Sequence, residues 1–337
     1  MRLKSGAKFS AITFRPTDDA MNTIHQDQNS SRSTTLQAAK SCFYSAAEKT
    51  QTVQLLILVA NAIFWPVFLA WKPEMKVWSA LTALLIPSIE LALIEPLQRK
   101  WKTRGAKIQE MFDCGLFALG WNNFKIGDHA REEDIASGAA KFRKAKGDEA
   151  KLQDWYTFDF PELPVSHARL ICQRANAWWD SELRENYISI IRWSVCVLGI
   201  LSLVVGLATG LTLEKLILAV IAPITPICMW GIKEVRKQAS VILEGERVVK
   251  HLESLWRRAC SGQVSEDELE DESRSLQNEI YDRRKGNAVN PQWLYWKKRD
   301  EFQKLMVEAA NQFLADYRKA RATSPCLPTK PHSITSV

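Results

Sequence analysis

CQRANAWWDSELRENYISIIRWSVCVLGILSLVVGL, residues 172–207, changes character halfway along. Up to Tyr187 it is polar and aromatic, with two arginines, adjacent tryptophans, amides and an aspartate. From Ile188 it turns apolar almost at once, and Trp193–Leu213 carries no charge. A helix needs about 20 mostly apolar residues to cross roughly 30 Å of hydrocarbon. The stretch therefore reads as one unbroken helix, rooted in water and ending in lipid.

Three more runs share that length and composition. Thr50–Trp71 and Leu216–Ile232 have no charge, and Val77–Leu97 is apolar apart from Glu90 and Glu95. The expectation is an all-α membrane protein of two transmembrane hairpins, four spans in all, with helical cytoplasmic extensions. The Leu216–Ile232 run is the shortest and holds Pro223 and Pro226, so a buried or re-entrant segment stays open there. The mean hydropathy of −0.19 conceals this segregation.

Charge sets the topology. Arg99, Lys100, Lys102, Arg104 and Lys107 follow the second run, Lys233, Arg236 and Lys237 follow the fourth, and Lys40 and Lys49 precede the first. The connections near 72–76 and 210–215 are short and weakly charged, although Lys72 and Lys76 count against them. The positive-inside rule then places both termini and the middle segment in the cytoplasm of a multi-pass membrane protein. Trp65, Trp71, Trp78, Trp193 and Trp230 stand near span ends, where interfacial anchors belong.

The expected organisation is a polar, partly disordered segment (1–49), a first hairpin (50–97), a cytoplasmic helical region (98–187), a second hairpin (188–232), C-terminal cytoplasmic helices (233–322) and a disordered tail (323–337). Residues 1–49 lack the apolar core of a signal peptide, and Met21 offers an alternative start to Met1. Trp101, Ile108, Phe112, Leu116 and Leu119 give a helical face over 97–121. A short helix is expected over 132–144, a break at DFPELP (159–164), and a helix beyond the fourth run to about Cys260. Ser265 and Glu268 form a capping box that opens another helix, and NPQW restarts the last one, to about Ala322.

Seven scattered cysteines without a CxxC and five isolated histidines fit a reducing compartment and exclude a disulfide framework or zinc pattern. No nucleophile stands with a base, and no acids pair at a useful spacing. No catalytic residue, metal ligand or cofactor is expected, and no DNA partner.

Gln173, Asn176, Asp180, Arg184 and Tyr187 recur at steps of 3, 4, 4 and 3, on one helical face. Directional amide, guanidinium and phenol groups point to a fixed partner. That partner is either a set of neighbouring helices or a ligand whose phosphate meets Arg174 or Arg184 and whose base stacks on Trp178 or Trp179. The two tryptophans diverge by about 100° on a helix of 3.6 residues per turn, so they do not share one ligand. QNEIYDRRKG (277–286) and WLYWKKRDEF (293–302) repeat the mixture and add Arg283 and Arg299 as candidates, against the simpler reading of a solvated helix hairpin. Glu90, inside the second run, is a candidate pore-lining acid. The alternative is a protonated carboxyl bonded to a facing helix, for instance at Asn61.

LPVSHARLICQRANAWWDSELRENY, the hydrophobic hairpin after it, and QNEIYDRRKGNAVNPQWLYWKKRDEFQKLM together resemble the SMODS-associated four-transmembrane effectors, over about residues 25–322. The WNNF segment (121–124) fits the same resemblance. It implies a bacterial antiphage effector, encoded near a nucleotidyltransferase, switched by a cyclic oligonucleotide messenger and perturbing the inner membrane as a homo-oligomeric pore in the lipid bilayer. The competing class is a constitutive channel, transporter or scaffold without nucleotide sensing.

Overall fold

A computed structural model describes residues 22–145, 147–208, 212–287 and 290–323. Every regular element among them is helical: α1 (Ile24–Asp27), α2 (Ser31–Trp71), α3 (Lys76–Ile89), α4 (Glu95–Leu116), α5 (Asn123–Ile126), α6 (Glu132–Lys144), α7 (Val165–Ala208), α8 (Leu213–Leu216), α9 (Ala222–Cys260), α10 (Glu266–Gly286) and α11 (Gln292–Thr323). Single π-helical turns, Glu90–Ile94 and Ile217–Ile221, weld α3 to α4 and α8 to α9.

The first half of α2 takes up residues 31–49 of the segment expected to be partly disordered. Leu36, Ala39, Phe43 and Ala47 bury one face of it against α4 and α6. Close approach to α6 depends on Gly138, whose absent Cβ would lie 3.2 Å from Ala39. Residues 1–21 and 324–337, which include both start sites and nearly all of the expected tail, lie outside the described residues.

Three helical stretches, Ser31–Leu69, Pro73–Leu116 and Leu213–Cys260, each contain a window long and apolar enough to cross a membrane. The third expected run, from Trp193, is carried by α7 as far as Ala208, and residues 209–211 lie outside the described set. Val53, Ile57, Phe64, Val67, Val77, Leu84 and Leu91 are bare on the apolar stretches, as are Trp193, Ile200 and Val204 on α7. So much contiguous bare apolar surface is tolerable in lipid and costly in water. The polar halves of α2, α4, α7 and α9 gather with α6, α10 and α11 around a separate core that includes Ile108, Phe112, Leu170, Leu252 and Leu255. Four helices thus pass from the polar body into the apolar part without a break.

The apolar end closes on α9, which packs against α2, α3 and α7. In the π register the Ala222 N–H bonds the Ile217 carbonyl. The next carbonyl, Leu218, faces the nitrogen of Pro223, which has no hydrogen to give. Ser79 of α3 supplies the missing donor at 2.8 Å, and Asn61 of α2 bonds the Pro223 carbonyl at 2.7 Å. Backbone polar groups inside lipid need such partners. At the end remote from the polar body, Lys76 pairs with Glu214, so the 72–76 turn meets the start of α8.

α4 ends at Leu116, short of the expected Trp121. Ala118 takes a left-handed conformation (φ 53°), and the Leu119 N–H returns to the Cys114 carbonyl at 3.0 Å. This reversal is a Schellman-type stop. It keeps Leu119 in the core, which is why the helical periodicity outlasts the helix. The N-cap at Ser265, the 132–144 helix and the unbroken 165–208 helix stand where the pattern put them, although the Glu268 carboxylate pairs with Arg258 instead of closing a capping box.

Candidate functional site

The α7 stripe faces inward. Gln173 donates to the Ser273 carbonyl (2.9 Å) and to Gln277 (3.1 Å), and Asn176 donates to the Tyr156 hydroxyl (2.7 Å). Asp180 accepts from Arg184 (2.9 Å) and from Arg283 of α10 (3.1 Å). Arg184 also donates to Gln238 of α9 (2.5 Å), and Tyr187 accepts from Gln51 of α2 (3.3 Å). The directional side chains expected to need a fixed partner find one in neighbouring helices or, for Asn176, in Tyr156 of the segment before α7. Burial on its own raises the Asp180 carboxyl, but Arg184 and Arg283 outweigh it and hold the group below the usual aspartate range.

Arg174 lies on another side of α7. It pairs with Glu253 at 2.8 Å and covers the Phe313 ring. Trp178 and Trp179 both pack on Phe302, edge to face, so packing takes both rings where stacking on a ligand was one expectation. Arg299 is on α11 over the Trp296 ring, away from the stripe, whereas Arg283 joins it. Glu90 is 5% exposed and turns into the bundle, 3.9 Å from the Lys233 ammonium. Asn61, considered as its partner, bonds the Pro223 carbonyl instead. His167 is packed between Trp256 and Tyr317, and burial lowers its pKa.

The periodicity of α7 gives no sign of the second half of the network. Arg274, Gln277 and Arg284 of α10 reach across to α4. Arg274 bonds Glu110 at 2.5 Å, Gln277 bonds Glu110 (2.9 Å) and Asp113 (3.0 Å), and Arg284 pairs with Asp113. Glu110 and Asp113 are almost fully buried. In sequence they look like ordinary charges on the α4 surface, and only the arrival of α10 covers them.

Beside this pair lies a group from α2. Gln37, Lys40 and Tyr44 recur at steps of 3 and 4, on one face. Lys40 is 6% exposed, with its ammonium 4.1 Å above the Trp155 ring centre, and it is in no ion pair among the described residues. It lies ten residues ahead of the apolar run. Burial pulls its pKa down to about 7, against the raising effect of Asp113. Both polar atoms of the Gln37 side chain, the Tyr44 hydroxyl, Trp179 Nε1 and Asn287 Nδ2 are buried without a hydrogen-bond partner. Among the described residues no three His, Cys, Asp or Glu side chains are placed to hold a metal ion.

The model of the SMODS-associating 4TM effector domain matches residues 22–313. A curated relative from Bacillus cereus (strain VD146), named a probable CBASS effector molecule, is 30% identical over 225 residues, 64% of this chain and 70% of the relative. No solved structure matches the chain.

Proposed function

The chain belongs to the SMODS-associating 4TM effector family, and from that premise we propose that it is a membrane effector of bacterial antiphage signalling. A cyclic oligonucleotide binds the cytoplasmic helical body, and an oligomer of the chain then disrupts the inner membrane as a pore. The name of the Bacillus cereus relative supports the signalling context.

The observation that carries the reading is mechanical. α2, α7, α9 and the continuous run of α3 and α4 through the Glu90–Ile94 turn are each part of both the polar body and the apolar part. A packed helix does not absorb displacement as a loop does, because interiors are close-packed and rearrange between discrete states. Binding energy spent in the body is therefore available to move the apolar stretches. Two π turns and Pro66, Pro87 and Pro226 mark where those stretches give most easily.

In this reading the chain has four spans in two hairpins, with the 72–76 and 210–215 connections outside and both termini cytoplasmic. The contact between Lys76 and Glu214 supports a shared side for the two connections. Opening would release Glu90 from Lys233 into the permeation path, where a ring of carboxylates favours cations. Identical reversal potentials for wild type and Glu90→Lys under a salt gradient would remove Glu90 from that path.

Dye-loaded liposomes holding the purified protein test the proposal. Leak on addition of a cyclic oligonucleotide, and none before, is the expected result. Leak without any nucleotide would favour the constitutive channel, and intact vesicles throughout a panel of cyclic di- and trinucleotides would refute the effector reading.

A further inference from the structure

Gln173, Asn176 and Arg184 of the α7 stripe already donate to neighbouring groups, so a messenger needs another place to bind. Four of the unpartnered polar groups belong to α2, α7 and the end of α10. Gln37 Nε2, the Tyr44 hydroxyl, Trp179 Nε1 and Asn287 Nδ2 all donate hydrogen bonds, and none has an acceptor. Buried donors without acceptors are rare, and each one asks for an explanation.

Charge points the same way. Lys40, Arg184, Arg283 and Arg284 converge on two carboxylates, Asp113 and Asp180. Among the described residues Lys40 has no ion-pair partner of its own, while Arg284 pairs with Asp113 and Arg283 with Asp180. An uncompensated buried charge is costly unless something pairs with it. A donor-rich, cation-rich site has the composition of a phosphate site.

We infer that Gln37, Lys40, Tyr44, Arg284 and Asn287 form the seat for a phosphodiester group of the messenger, with Lys40 as its direct counter-ion. This rests on the reading of the chain as a nucleotide-switched effector. Lys40 and Tyr44 are on the helix whose apolar run begins at Thr50, so a ligand held there is tied to the first span through two turns of α2. The Lys40 ammonium faces Asp113 from α4, Arg284 from α10, and the Trp155 ring. With its pKa near 7, it gains its proton as the phosphodiester arrives.

The test is direct binding to the full-length protein in detergent micelles, read by tryptophan fluorescence. The probes are a panel of 3′,3′-cyclic dinucleotides, cyclic trinucleotides and inorganic pyrophosphate. Wild type and Lys40→Met are compared at pH 6.5 and pH 8.5. Lys40→Met removes a buried charge and keeps the side-chain length, so it folds, and its melting curve confirms that. The expected result is at least tenfold weaker binding by the variant, and affinity that tightens at the lower pH in wild type only. Undiminished binding by Lys40→Met would overturn the seat and leave the effector reading intact. Wild type that binds no member of the panel would also overturn it. Binding lost in the variant, but never accompanied by liposome leak in wild type, would keep the seat and sink membrane disruption.

Discussion

The Ser79 hydroxyl in α3 donates to the carbonyl of Leu218, 2.8 Å away and 139 residues later in the chain. That carbonyl is left without its own partner because Pro223 has no N–H. Ser79 is fully buried. Ser79→Ala strips the donor and leaves a carbonyl unsatisfied at the helix contact. The expected cost is about 0.6–1.7 kcal/mol, the range found for interhelical hydrogen bonds in membranes. Ser88 on the same helix is exposed and bonds only within it, to the Leu84 carbonyl. Thermal unfolding in detergent should fall for Ser79→Ala and stay put for Ser88→Ala. Equal behaviour of the two would show that the Ser79 bond carries no stability.

Arg284 and Asp113 form a deeply buried ion pair between α10 and α4, with side-chain exposures of 15% and 2%, beside the Arg274–Glu110 pair. Breaking one side of such a pair strands a charge, at a cost on the order of 3–5 kcal/mol. Arg284→Met should therefore melt well below wild type. The double variant Arg284→Met, Asp113→Asn should recover much of the loss, since no charge is then stranded. A double variant as unstable as Arg284→Met alone would mean that packing, and not charge, holds α10 on α4.

The pH dependence of stability follows from Lys40. Its folded pKa lies near 7, against 10.5 for an ordinary lysine. Between those values the unfolded chain holds a proton that the folded chain has lost, so stability gains from Lys40 as pH rises from about 7 to 10. Below pH 7 both states are protonated and the full burial penalty applies, on the order of a few kcal/mol at 1.36 kcal/mol per pKa unit. The Trp155 contact offsets only about 0.5–2 kcal/mol of it. Lys40→Met should therefore be more stable than wild type at pH 6.5 without ligand, with the gap closing by pH 9.5. A gap that widens with pH would show that Lys40 is charged and well compensated.

Topology is checked by labelling. Glu74, in the turn between α2 and α3, and Ala140, on α6, are both exposed. In intact cells lacking the native cysteines, a membrane-impermeant thiol reagent should reach Glu74→Cys and miss Ala140→Cys. The reverse pattern would invert the orientation and remove the polar body from the cytosol, against the proposed function.

Local and periodic features of this protein were legible from the chain. Uncharged runs named the apolar helices, because burial in hydrocarbon tolerates almost no charge. Ser265 and Glu268 named a helix start, because a cap is a contact between near neighbours. The face shared by Gln173, Asn176, Asp180, Arg184 and Tyr187 followed from a period of 3.6, and so did its need for a fixed partner. The identity of that partner did not follow. Ser273 and Gln277 are about 100 residues from Gln173, and nothing local distinguishes Asp113 from a solvated acid until α10 covers it. The same holds for Lys40, which in sequence is a basic flank of the first span and in the fold is a buried cation over Trp155. Spacing along one helix fixes which side chains share a face. Which faces meet is decided by how the helices pack, and only that packing turns surface charges into a buried network with donors to spare.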